Sequence, residues 1–282
     1  MNKTANNSGT TSPTIGVFDS GFGGLTVLRA LMAQMPHARF VFFGDTARLP
    51  YGSKSRRTIA RYAAQCAQFL VNQQGAEFLV IACNTASALA LDAIQDSVTV
   101  PVLGVIEPGA EAARAASRTG DVLVIATDAT VQSHAYAAAC RAHGLRALEK
   151  ACPLLVPLVE EGWTDHPVTA EVIRIYLAEL NAEAAAQGMN PDALLLGCTH
   201  YPLLRPLLQR AVPPNMRVID SAEAVAETAL KLFSRYEHEK RSPSAQDQVR
   251  CFATDSVEKF ERLGSRFLGQ PTGKVQLVDL GG

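Results

Sequence analysis

The sequence predicts an α/β protein whose strands pair mostly in parallel. Three observations point there. Apolar runs of strand length alternate with longer stretches of helical periodicity, Gly, Asp and Asn gather at the joins, and the order is strand, helix, strand, helix instead of strand, turn, strand. Parallel neighbours need a crossover long enough to hold a helix, so this order implies layered sheets with helices on their faces.

Taken in order, Thr14–Phe18 reads as a buried strand and Leu25–Met35 as a helix that stops before Pro36, a residue that cannot continue it. Phe40–Phe43 is the next strand, followed by the turn-rich loop Gly44–Ser55 and a helix over Thr58–Gln73. Phe78–Ala82 is a third strand, Ala86–Gln95 a helix and Val100–Val105 a fourth strand. The pattern restarts after Gly120. Val122–Ala126 is a strand, Val131–His143 and Thr169–Gln187 are helices, Ala193–Leu196 is a strand and Leu203–Ala211 a helix. Arg217–Ile219 (strand), Ala222–Tyr236 (helix), Gln248–Thr254 (strand) and Val257–Leu268 (helix) complete the chain. The charged, turn-rich stretch Glu237–Asp247 reads as a surface loop, and the polar segment 1–13 as a disordered tail with no hydrophobic stretch to act as a secretory signal.

At 282 residues the chain has room for two modest cores. With 48% hydrophobic and 19% charged residues and a net charge of -1, it reads as an ordinary globular protein with no basic face for nucleic acid. No apolar stretch approaches the roughly 20 residues needed to span a bilayer. Its six cysteines contain no CxxC pair, which argues against a zinc ribbon, a thioredoxin-like couple or a disulfide framework. The thiols are then free, and some are available for chemistry. Cys66, Cys140, Cys152 and Cys251 read as structural, and His134 and His143 lack a metal-ligand partner at the proper spacing, so no metal site is expected.

The joins carry the chemistry. Asp19-Ser20-Gly21-Phe22-Gly23-Gly24 lets the backbone turn tightly into a helix whose free N–H groups suit an anion. A dinucleotide fingerprint would need glycine where Thr26 stands, and a P-loop lysine is missing, so a carboxylate is as good a guest as a phosphate. On its own, Asp19 reads as a plain helix cap before it reads as a ligand group. Two other joins look alike: LVIACNTASA around Cys83 and LLLGCTHYPL around Cys198 each run from a buried strand through a thiol into polar residues. Both thiols therefore sit at the carboxyl end of a strand, where open α/β sheets bind ligands. A buried cysteine is often only core packing, but Asn84 and Thr85 offer donors beside the first thiol, and His200 is placed to tune the second.

Five motifs in the same order, IGVFDSGFGGLTV, FGDTARLPYGSKS, VIACNTASA, GVIEPGA and LGCTHYPLL, resemble those of the glutamate racemase family over about Thr14–Leu268. The resemblance implies two pseudo-symmetric α/β domains, 14–108 plus 218–282 and 109–217, with the active site between them. It implies Cys83 and Cys198 as the catalytic pair, Asp19 and His200 as their respective assistants, and Glu160 as a further acidic group. It implies that Asp19, Ser20, Tyr51, Gly52, Asn84, Thr85, Thr127, Thr130, Thr199 and His200 hold the amino acid. Thr127 and Thr130 fit a T-x-x-T-x-x-S-x-x-Y run completed by Ser133 and Tyr136. Ala126 and Phe22 depart from the family's usual glycine and aliphatic residue. By the same resemblance the reaction interconverts L- and D-glutamate with no cofactor and supplies D-glutamate for peptidoglycan. Cys83 takes the proton from D-glutamate and Cys198 from L-glutamate. The protein is expected to be a cytoplasmic homodimer whose partner is glutamate, with no nucleic acid and no membrane. Inverting an α-carbon takes one acid and one base on opposite faces, which a two-thiol site provides. An aspartate racemase, a Cys198–His200 hydrolase and a non-catalytic binding protein are the competing readings. His200, where aspartate-specific relatives tend to carry Glu, favours glutamate.

Overall fold

The computed structural model describes residues 13–233 and 248–281. Most of segment 1–13 and all of Glu237–Asp247 lie outside the described residues, as does the end of the helix expected over Ala222–Tyr236.

Among the described residues, ten strands form two sheets. In chain order the elements are β1 (Thr14–Asp19), α1 (Leu25–Gln34), β2 (Arg39–Gly44), α2 (Arg56–Gln68), β3 (Phe78–Ile81), α3 (Asn84–Leu89), α4 (Leu91–Ser97), β4 (Val102–Gly104) and α5 (Ile106–Ala116). Then follow β5 (Asp121–Ala126), α6 (Asp128–Ser133), α7 (Ala135–Ala142), β6 (Arg146–Ala151), α8 (Leu155–Glu160), α9 (Pro167–Ala186), β7 (Ala193–Gly197) and α10 (Arg205–Ala211). The chain ends through β8 (Arg217–Asp220), α11 (Ser221–Phe233), β9 (Val249–Ala253), α12 (Val257–Leu268) and β10 (Val275–Leu277). The first sheet has strand order β10-β9-β2-β1-β3-β4 and the second β6-β5-β7-β8. Every strand pairing in both is parallel.

Parallel strands covered on both faces must be apolar throughout, and β1, β5 and β7 are buried along their whole length. Successive side chains point to opposite faces. Ile15 and Val17 enter a large core that runs on through α1, α5 and α11 into the second sheet, while Phe18 enters a smaller core beneath α2. Each of Leu194, Leu195 and Leu196 is fully buried, worth about 1.5–3 kcal/mol apiece. Local signals set the helix ends. The Ser55 hydroxyl accepts from Thr58 N to cap α2, and Pro167 opens α9, where its missing N–H is harmless. No helix among the described residues is long and apolar enough to cross a membrane.

The structure departs from the sequence expectation at identifiable places. The helix expected over Val131–His143 is two, α6 and α7, broken at His134, whose φ of 53° is left-handed. The helix over Ala86–Gln95 is likewise divided at Ala90. Helix α5, strand β6, α8 and β10 were not expected at all. The boundary at 217/218 falls inside β8, which pairs with β7, so the chain leaves the second sheet only after Asp220.

Candidate active site

Four strands, β1, β3, β5 and β7, aim their carboxyl ends at one cavity of about 270 Å³ between the two sheets. Cys83 follows β3 and Cys198 follows β7, so the two thiols approach from different sheets at matching positions, and both line the cavity.

Cys83 is the N-cap of α3. Its Sγ accepts from Ala86 N at 3.4 Å and its thiol donates to Ser20 Oγ at 3.4 Å. Behind Ser20, at the end of β1, Asp19 is buried with Oδ2 accepting from Gly21 N at 3.0 Å, while Oδ1 has no hydrogen-bond partner. Burial raises the Asp19 pKa, outweighing the His200 charge and the surrounding backbone N–H groups. Burial, with the Asp19 carboxyl beside it, pushes the Cys83 thiol up to about 12. Cys83 therefore rests as a protonated thiol.

The Cys198 side is built from charges. The His200 Nδ1 lies 4.0 Å from Cys198 Sγ and 3.5 Å from Thr199 Oγ1. Its Nε2 lies 3.4 Å from Glu160 Oε1 at the end of α8, and Lys259 of α12 donates to Glu160 Oε2 at 3.2 Å. Burial opposes a charged imidazole here, but the Cys198 sulfur and the Glu160 carboxylate together raise His200 to about 10. For Glu160 too, burial works against the charge, yet His200 and Lys259 lower its pKa. Imidazolium, carboxylate and ammonium thus form one line of alternating charge that begins beside the Cys198 sulfur. Phe22 and Phe267 pack on the imidazole at centroid distances of 6.1 and 5.1 Å. Gly23 lets the backbone pass close by: a Cβ there would lie 2.5 Å from Thr199 Oγ1 and 2.6 Å from the His200 ring.

Between the thiols lie hydroxyls and an amide. Thr85, Thr127 and Thr130 join in a triangle of Oγ1 distances 3.0, 3.2 and 2.9 Å that ties α3 to α6. The Asn84 Oδ1 accepts from the Tyr136 hydroxyl at 2.6 Å, and its Nδ2 has no partner.

Of the residues predicted for the site, Ser20, Tyr51, Gly52, Cys83, Asn84, Thr85, Thr127, Glu160, Cys198, Thr199 and His200 line the cavity. Asp19 and Thr130 do not; both are buried just behind it and act on residues that do. The Tyr51 hydroxyl donates to Asp45 Oδ2, which leaves its oxygen only as an acceptor. Sequence reasoning missed Leu49, Pro50, Ser53 and Asp128 in the wall, Lys259 behind Glu160, and the buried anchor of the Leu49–Ser53 loop. In that anchor Asp45 takes Arg48 Nε on both oxygens at 2.8–2.9 Å and the Thr254 hydroxyl at 3.0 Å.

A protonated thiol on one wall, a sulfur beside an imidazolium on the other, and an unspent amide N–H donor with threonine hydroxyls between them can move a proton from one face of a bound carbon acid to the other. Known proteins with this sequence pattern and fold are named as racemases. Residues 25–229 match the family model described as Asp/Glu/Hydantoin racemase. A glutamate racemase of Koribacter versatilis is 52% identical, over 96% of this chain and 98% of its own length. One from Syntrophus aciditrophicus is 47% identical over 94% and 96%. The crystal structure of the Francisella tularensis glutamate racemase in complex with D-glutamate superimposes with a TM-score of 0.85 at 34% identity, covering 95% of this chain and 98% of that one.

Proposed function

Because the chain belongs to the Asp/Glu/hydantoin racemase family, we propose that it interconverts L- and D-glutamate, with Cys83 and Cys198 as acid and base on opposite faces of the α-carbon. One observation carries this reading: two thiols from corresponding strand ends of separate sheets converge on a single cavity. The arrangement supports L-to-D turnover. Cys198, with His200 beside it, takes the α-proton, while Cys83 holds a proton to deliver to the other face. After turnover the proton gained at Cys198 leaves to water and Cys83 takes one up, its thiolate disfavoured by burial and by the Asp19 carboxyl beside it. The reverse reaction runs the same steps backwards.

The developing negative charge spreads onto the α-carboxylate, where fixed donors are most effective because they need no reorganisation. Asn84 Nδ2 and the Thr85 and Thr127 hydroxyls supply them. No cofactor enters this scheme. The remaining assignments follow from it: cytoplasmic provision of D-glutamate for peptidoglycan by a homodimer. Two domains, 14–108 with 221–282 and 109–220, then face each other across the substrate.

Circular dichroism of the purified protein with L-glutamate and no added cofactor tests the reading. Decay of the optical signal to zero is expected, with L-aspartate turned over far more slowly. A signal that persists with glutamate, or decays faster with aspartate, rejects it.

A further inference from the structure

Tyr136 reaches from the second sheet's layer into the first. It sits on α7, is fully buried, and its hydroxyl donates to Asn84 Oδ1 at 2.6 Å across 52 positions of sequence. The ring occupies a slot that two glycines leave open. A Cβ at Gly197 would lie 2.9 Å from one ring edge, and a Cβ at Gly109 would lie 3.2 Å from the other. Asn84 is buried, lines the cavity, and leaves its Nδ2 without any protein acceptor. An amide with its oxygen engaged on one side must turn its NH₂ to the other. Burial raises the Tyr136 pKa, so the phenol stays a proton donor across the working range.

We propose that Tyr136 is a positioning residue that locks the Asn84 amide with its NH₂ facing the cavity, as a donor to a substrate carboxylate. The identity of that substrate rests on the racemase reading above; the locked amide rests on the glycine slot and the orphaned Nδ2. Without the Tyr136 hydroxyl the amide is free to flip, and a flipped amide presents oxygen to a carboxylate. An unmade hydrogen bond to a buried group is costly, while the ring packing is untouched by loss of the hydroxyl.

The test is a double-mutant cycle on the full-length chain with Tyr136→Phe and Asn84→Ala, read in kcat and in the calorimetric Kd of D-glutamate. Tyr136→Phe is expected to lower kcat by roughly tenfold and to weaken binding. Asn84→Ala is expected to lower kcat by about a hundredfold or more, and adding Tyr136→Phe to it changes nothing further. Equal losses in both backgrounds would mean that the Tyr136 hydroxyl acts through another partner, such as Ser221, and not through Asn84, which overturns the proposal. Asn84→Asp provides a second test that leaves the tyrosine in place. It keeps the acceptor for Tyr136 but turns a carboxylate oxygen toward the cavity, so binding of D-glutamate is expected to collapse while the melting temperature holds; unchanged binding overturns the proposed orientation. If the wild type binds glutamate with the predicted coupling but does not racemise it, the functional reading fails and the positioning role stands.

Discussion

Gly23→Ala places a methyl group where there is no room for one. The new Cβ would lie 2.6 Å from Nδ1 and Cε1 of His200, about 0.9 Å inside the roughly 3.5 Å at which carbon contacts become favourable. The Gly23 backbone is not in the left-handed region, so alanine adds no torsional strain of its own. The conflict is purely steric. Thr199 Oγ1, 2.5 Å away, can rotate aside. The imidazole cannot, because Phe22, Phe267 and Glu160 hold it on its other sides. The ring must therefore move by close to an ångström relative to Cys198. Misplacement of that size costs about 10²-fold in rate, or about 2.7 kcal/mol of barrier. Overpacking should also remove about 1–3 kcal/mol of stability, leaving a folded protein. Initial rates by circular dichroism from each enantiomer are the assay. The enantiomers have equal free energy, so kcat/KM must fall by the same factor in both directions even though only one side of the site is disturbed. Near-wild-type kcat/KM in a variant with a normal far-ultraviolet spectrum would refute the claim that His200 geometry controls Cys198.

Other perturbations test separate parts of the account. Since the His200 pKa is raised to about 10, the imidazolium is complete below the ordinary histidine value and is lost only as pH rises through about 10. The alkaline limb of kcat/KM is expected there, and Glu160→Gln should move it to lower pH; an unmoved limb separates Glu160 from His200. Lys259→Met should move it slightly the other way, since loss of a nearby cation favours the imidazolium, and the shift is small because Lys259 is 44% exposed and screened by water; Lys259→Arg should leave it in place. Asp45→Ala leaves the mostly buried Arg48 without its carboxylate, with Gln65 and Tyr62 still against it, so denaturant unfolding should show a loss of about 3 kcal/mol, and KM should rise as the Leu49–Ser53 wall loosens. Unchanged stability would show that the Asp45 anchor is not what holds that loop.

Strands buried on both faces were readable because burial demands an uninterrupted apolar run, and β1, β3, β5 and β7 all have one. Strand β6, RALEKA, was invisible: at the edge of its sheet it mixes charged residues with apolar ones and resembles a helix surface. Helix α5 hid behind Pro108 and Gly109, which read as turn residues but sit within its first turn. Nothing in the side chain of His134 announces a left-handed break. The two thiols were legible because each follows a strand directly, and the structure buries the other four cysteines away from the cavity. The partners that tune the site were not legible, since they come from far along the chain. Lys259 meets Glu160 across 99 positions and Thr254 meets Asp45 across 209. No local pattern records such contacts. Tyr136 was visible only as the end of a motif, with no sign that its hydroxyl crosses to Asn84.

The central claim, two thiols serving opposite faces, is tested most directly by racemising L-glutamate in D₂O and following the α-proton by NMR at early times. Each D-glutamate formed is expected to carry deuterium, delivered by the solvent-exchanged Cys83 thiol, while unreacted L-glutamate keeps its protium. D-glutamate that retains the substrate's own α-proton would mean a single group working on both faces, and would contradict it.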